Sequence, residues 1–117
     1  MAKNIKFEDV DQFRVVVDSP ADPVSGDVCR VGDRVAIALT DKGTDGKTTV
    51  KYACAAEVSV KGVNGSGNSA VAVTDVLYFV DADTPNLSKK ATGTRAGTAQ
   101  EAITSGSTAT ILVLFGV

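Results

Sequence analysis

Thr48-Thr49-Val50-Lys51-Tyr52-Ala53-Cys54-Ala55-Ala56-Glu57-Val58-Ser59-Val60-Lys61 carries the clearest structural signal in the chain. Val50, Tyr52 and Cys54 alternate with other residues at one end, and Val58 and Val60 do so at the other. A period of two sends successive side chains to opposite faces of a strand, whereas a helix needs apolar residues three and four apart. Both sets fall on even numbers, so one long strand can hold the stretch without a bulge, although Ala55-Ala56 could host one. The residue types agree, because β-branched and aromatic side chains suit a pleated surface.

The same reading extends upstream. Asp41-Lys42-Gly43-Thr44-Asp45-Gly46-Lys47 is a polar loop with an Asp-Gly turn signal. Before it, Val24-Ser25-Gly26-Asp27-Val28-Cys29-Arg30-Val31 and Gly32-Asp33-Arg34-Val35-Ala36-Ile37-Ala38-Leu39-Thr40 each place a Gly-Asp turn ahead of an alternating run. Val35, Ile37 and Leu39 share one face, and the small Ala36 and Ala38 between them suit a strand covered on both sides. Phe13-Arg14-Val15-Val16-Val17-Asp18 is a first strand, stopped by Ser19-Pro20-Ala21-Asp22-Pro23. Residues 1–12 form an extended arm, and residues 13–117 a single β domain.

Downstream, Gly62 to Ser69 is a glycine-rich hairpin loop. Ala70-Val71-Ala72-Val73 fits either a strand or a short helical turn. Val76-Leu77-Tyr78-Phe79-Val80 is a strand, closed by Asp81-Ala82-Asp83-Thr84-Pro85-Asn86, with Leu87 to Thr92 returning beside it. Arg95 to Ala102 fits strand or helix, with one short helix expected around Ala96–Ala102. Thr108-Ala109-Thr110-Ile111-Leu112-Val113-Leu114-Phe115 is an apolar last strand. The expected fold is all-β and mainly antiparallel: a small β-barrel or β-tulip with at most one short helix.

Composition narrows the functions. The 117 residues argue for one domain whose core is built from small side chains, since aromatics are 5% and Trp is absent. A net charge of −2, with cations scattered singly, lacks the basic clustering that binds nucleic acid. No apolar run approaches a membrane span, and the polar opening Met1-Ala2-Lys3-Asn4-Ile5-Lys6 lacks the apolar region of a secretory leader. Cys29 and Cys54 have no neighbouring thiol and no His at metal-ligand spacing, which points to two free thiols in a reducing cytoplasm.

The chemistry-bearing residues do not assemble into a catalytic pattern. The chain has no His, so neither a Ser–His nor a Cys–His pair can form within it. Asp27, Asp33, Asp41, Asp45, Asp75, Asp81 and Asp83 all lie beside turn signals, where Asp bonds local amides. Asp81-Ala82-Asp83-Thr84 begins like a calcium loop but lacks its Gly and closing Glu. The glycine-rich loop has no Gly-Lys-Ser/Thr ending. The expectation is therefore a protein that is not an enzyme, with no catalytic residue, cofactor or metal.

Several elements taken in order resemble those of the capsid decoration, or cement, proteins of tailed bacteriophages. They are Val24-Ser25-Gly26-Asp27, then Val31 to Thr40, then Asp75-Val76-Leu77-Tyr78-Phe79, then Thr94-Arg95-Ala96-Gly97-Thr98-Ala99, and finally Ile111-Leu112-Val113-Leu114. They cover most of the chain from Val24 onward. That family often carries Gly where this chain has Ala36, and Gly-Asp before the Tyr where this chain has Thr74-Asp75. The resemblance implies a virion protein, made in the bacterial host's cytoplasm, that sits on the outer surface of an icosahedral head. Its implied partners are the major capsid protein and two further copies of itself, in a homotrimer. Ile5, Phe7, Val10 and Phe13 are the expected capsid contacts of the arm, unless Phe7 and Phe13 cap the protein's own core. Another β-barrel phage component, of the tail tube or head-completion type, is the alternative.

Overall fold

The computed structural model describes residues 12–116, among which lie nine strands and no helix. The strands are β1 (Gln12–Val15), β2 (Val28–Val31), β3 (Arg34–Ala38), β4 (Thr48–Lys51), β5 (Ala55–Lys61), β6 (Val76–Phe79), β7 (Leu87–Ser88), β8 (Thr94–Ala99) and β9 (Thr108–Phe115). The first four form an antiparallel sheet in the order β1-β4-β3-β2. The rest close a barrel in the order β5-β7-β6-β8-β9, antiparallel except where β5 meets β7.

The four-stranded sheet curls tightly. The segment that supplies β1 at one edge continues to Asp18 and Ser19, which bond Arg30 of β2 at the other edge. The concave side this creates is narrow, and Cys29, Ala36, Ala38 and Val50 fill it, with Val15, Val17 and Tyr52 packed against them. On the other face of β3, Val35 and Ile37 enter the barrel core beside Val58, Val60, Leu77, Phe79 and Phe115. The expected two-sided cover of this strand is what the fold shows, although Leu39 lies beyond its end and is exposed. Between β2 and β3, Gly32 takes a φ of +58°, the left-handed conformation that a two-residue hairpin favours.

Two expectations need correction. The stretch from Thr48 to Lys61 is two strands in different sheets, broken at Tyr52-Ala53-Cys54. Even-numbered residues point inward throughout, but Val50 faces the curled sheet's interior whereas Val58 and Val60 face the barrel's. A straight strand cannot serve both. The bend fits closely against the end of β9, where Phe115 N–H donates to Cys54 C=O at 2.7 Å and Gly116 lies against Ala53.

The second concerns Ala96–Ala102, which is not helical. Thr94–Ala99 is β8, and pairing with β6 shifts register by one residue at Leu77/Tyr78, leaving Ala96 as the extra residue. That bulge explains why neighbouring Ala96 and Gly97 are both buried, which strict alternation forbids and which a helix-like reading of the run had absorbed. Residues 70–73 form neither a full strand nor a helical turn. Val71 pairs singly with Ile103, and both side chains are buried in the barrel core.

Gly97 is held by close packing rather than by its φ. A methyl group there would run into the carbonyl oxygen of Leu114 on β9. Gly97→Ala therefore forces β8 and β9 apart, and denaturant unfolding should show a loss of about 2 kcal/mol.

Candidate interaction surface

Six of the seven loop carboxylates, Asp27, Asp41, Asp45, Asp75, Asp81 and Asp83, are committed to bonds within the fold. Asp27 accepts the Val24 N–H, Asp41 the Ser25 N–H and Asp75 the Ala72 N–H. Asp45 accepts two bonds from the Arg14 guanidinium, at 2.7 and 3.1 Å, which hold its carboxyl below the usual range. Asp75 is lowered by the Ala72 amide first and then by Lys89, whose ammonium lies 3.1 Å away. The Asp81–Asp83 segment is a turn fastened both by nearby Asn86 and by side chains from outside it. Asp81 takes a forked pair of bonds from Arg30, both at 2.9 Å, and Asp83 takes Lys90 at 2.7 Å. The Asn86 amide donates to the carbonyls of Val80, Asp81 and Asp83. Among the described residues no three His, Cys, Asp or Glu side chains cluster as metal ligands would.

Cys29 and Cys54 are not joined in a disulfide, and they occupy separate environments. Cys29 is sealed inside the curled sheet, where burial first and Asp27 second push its thiol up to about 11. Cys54 sits at the bend and packs against the barrel core.

Of the expected arm contacts, Ile5, Phe7 and Val10 lie outside the described residues. Phe13 is on edge strand β1, opposite Val50. Its ring tilts against Tyr52 at 5.7 Å, the Arg34 guanidinium covers Tyr52 at 5.0 Å, and Phe13 remains 41% exposed. The side chain thus both packs on its own fold and offers apolar surface. Leu112 and Leu114 are exposed on the outer barrel wall, and Val24 and Leu39 where the loops before β2 and after β3 meet.

Among the hollows on the surface of the described residues, two are of similar size. One, about 430 Å³, is polar and lies under the glycine-rich hairpin, which the Val63–Asn68 bridge establishes as a hairpin. Lys61, Asn68, Thr84 and the Asp83–Lys90 pair line it. The other, about 450 Å³, is a groove between the curled sheet and the barrel, with Asp27 and Val28 on one wall and Glu57, Val58 and Ser59 on the other. The sequence reading passed over this groove. Its signal was the shortness of the run between Pro85-Asn86 and Lys89, which leaves β7 too short to cover β5.

Comparison with protein-family descriptions, with curated proteins and with solved structures finds no match to this chain.

Two consequences can be measured. The Arg30–Asp81 fork ties the curled sheet to the barrel, and the Arg30 side chain is 24% exposed while that of Asp81 is 49% exposed. Arg30→Ala should cost roughly 1 kcal/mol in denaturant unfolding, with a smaller deficit at high salt. For Cys29, a folded-state value raised from 9.0 means the neutral thiol stabilises the fold fully below pH 9. That contribution is lost as pH rises from 9 towards 11, so the stability gap between wild type and Cys29→Ala should narrow over this interval. A gap that stays constant would show that Cys29 ionises as freely folded as unfolded.

Proposed function

We propose that the chain is a structural virion protein that binds the outside of a tailed-phage head as a trimer and stabilises the lattice of major capsid protein. The observation that carries the reading is the ordered set of elements from Val24 to Leu114 described above. The fold lends support in how it uses them. Gly26-Asp27 and Gly32-Asp33 are turns bounding β2, Val76–Phe79 is β6, Gly97 is the close contact of β8, and Ile111 and Val113 are barrel core. These elements are structural determinants of the β architecture, and Asp27, Asp41 and Asp75 are occupied in bonds to backbone amides. In this reading the protein acts by binding and is not an enzyme. Ile5, Phe7, Val10 and Phe13 supply capsid contacts from the arm, and the protein resides on the outer surface of the virion.

A core dominated by Val, Ala and Ile supports only modest stability in a lone chain, so contacts with the shell and with other copies add to it. Co-sedimentation with the cognate capsid shells tests the proposal. Saturable binding to expanded shells, near one copy per capsid subunit, is expected. Absence of binding to expanded and unexpanded shells alike, with rings or tubes formed by the isolated protein, would move the assignment to a tail or connector component. Deleting residues 2–11 should weaken shell binding while leaving the melting temperature of the free protein unchanged.

A further inference from the structure

The groove between the two sheets is bounded by strand edges whose backbone groups have no strand partner among the described residues. β5 pairs with β9 along all seven of its residues but meets β7 only at Val60–Leu87. The direction of its groups follows from the bonds at its two ends. Phe115 N–H donates to Cys54 C=O, and Gly62 N–H donates to Ser107 C=O, so even-numbered residues turn their backbone groups towards β9. Ala55, Glu57 and Ser59 consequently turn theirs the other way. The Val60–Leu87 bridge takes the Ser59 C=O, which leaves Ala55, Glu57 and the Ser59 N–H towards the groove that Glu57, Val58 and Ser59 line.

β2 behaves alike on the opposite wall. Arg30 points outward to Asp18 and Ser19, while Asp27 C=O points inward to Ala38 N–H. Val28 shares the outward direction of Arg30. The pairing on this side is the single Ser19–Arg30 bridge, and it does not extend to Val28. The amide and carbonyl of Val28 are therefore also presented to the groove.

An exposed edge with several unpaired groups is a template for another strand unless it is covered or blocked. Between Ala55 and Ser59 neither a cation nor a bulge blocks β5. The charged side chains that line the groove are Asp27 and Glu57, both acidic. We infer that this groove receives an extended, cationic segment of the shell protein, which adds to the β5 edge as an extra strand. This assignment of the partner rests on the proposed function. From Ala55 to Ser59 the edge accepts about five residues, a length of roughly 17 Å. Main-chain bonds to Glu57 would hold the segment, and Lys or Arg on it would meet Glu57 and Asp27.

The test uses the full chain and expanded shells. Hydrogen exchange at the Glu57 and Val28 amides should be fast in the free protein and slow on the shell. Glu57→Pro removes one outward N–H without touching the bonds to β9 and should weaken shell binding roughly tenfold. Glu57→Lys keeps the N–H, reverses the charge and should also weaken binding. A melting curve of each variant separates these effects from misfolding. If wild type binds shells while both amides exchange as fast as in free protein, the groove is not the docking site and the proposed function stands. If wild type fails to bind shells at all, the proposed function and this occupant are both overturned.

Discussion

Burial of β3 on both faces is the constraint on which the rest of the architecture depends. Val35 and Ile37 belong to the barrel core, and Ala36 and Ala38 to the interior of the curled sheet. A strand in that position needs large side chains on one side and small ones on the other, because a four-stranded curl leaves little room inside it. The alternation Val-Ala-Ile-Ala meets both demands within four residues. It also joins the two parts without a separate interface, so the curled sheet cannot move off the barrel without exposing Val35 and Ile37 to water.

That arrangement dictates what happens after β4. The chain must pass from the sheet to the barrel wall, and it does so by bending at Tyr52-Ala53-Cys54 rather than by looping away. The bend is stabilised from the barrel side by the Phe115–Cys54 hydrogen bond and from the sheet side by the stack of Phe13, Tyr52 and Arg34. The Arg30–Asp81 fork fastens β2 to the turn that follows β6. The groove arises because the two sheets meet along β3 and β8 while the β2 and β5 edges remain apart, with only a two-residue β7 above them.

Most of the strands were legible in the residues, since their alternation is a direct record of one buried face. Thr108–Phe115 was read at its observed limits, and the Gly-Asp turns fell where Gly26 and Gly32 take positive φ. The break at Tyr52 was not legible, because parity continues across it and only the three-dimensional course reveals two different interiors. The strand at Thr94–Ala99 was hidden by its bulge, which places Ala96 and Gly97 inside together and imitates a helical run of small residues. The groove was less legible still. An open strand edge is a property of a missing neighbour, and no residue in β5 announces it. Among the expected contacts, Phe13 alone is within the described residues, on edge strand β1.

The central claim is that this β fold serves as an outer clamp on a capsid lattice, and a cryo-electron microscopy reconstruction of expanded cognate shells saturated with the protein tests it most directly. The account predicts trimeric density on the outer surface at three-fold and quasi-three-fold positions, with the β5 edge extended by a strand of shell protein. Shells whose outer surface carries no added density would contradict it.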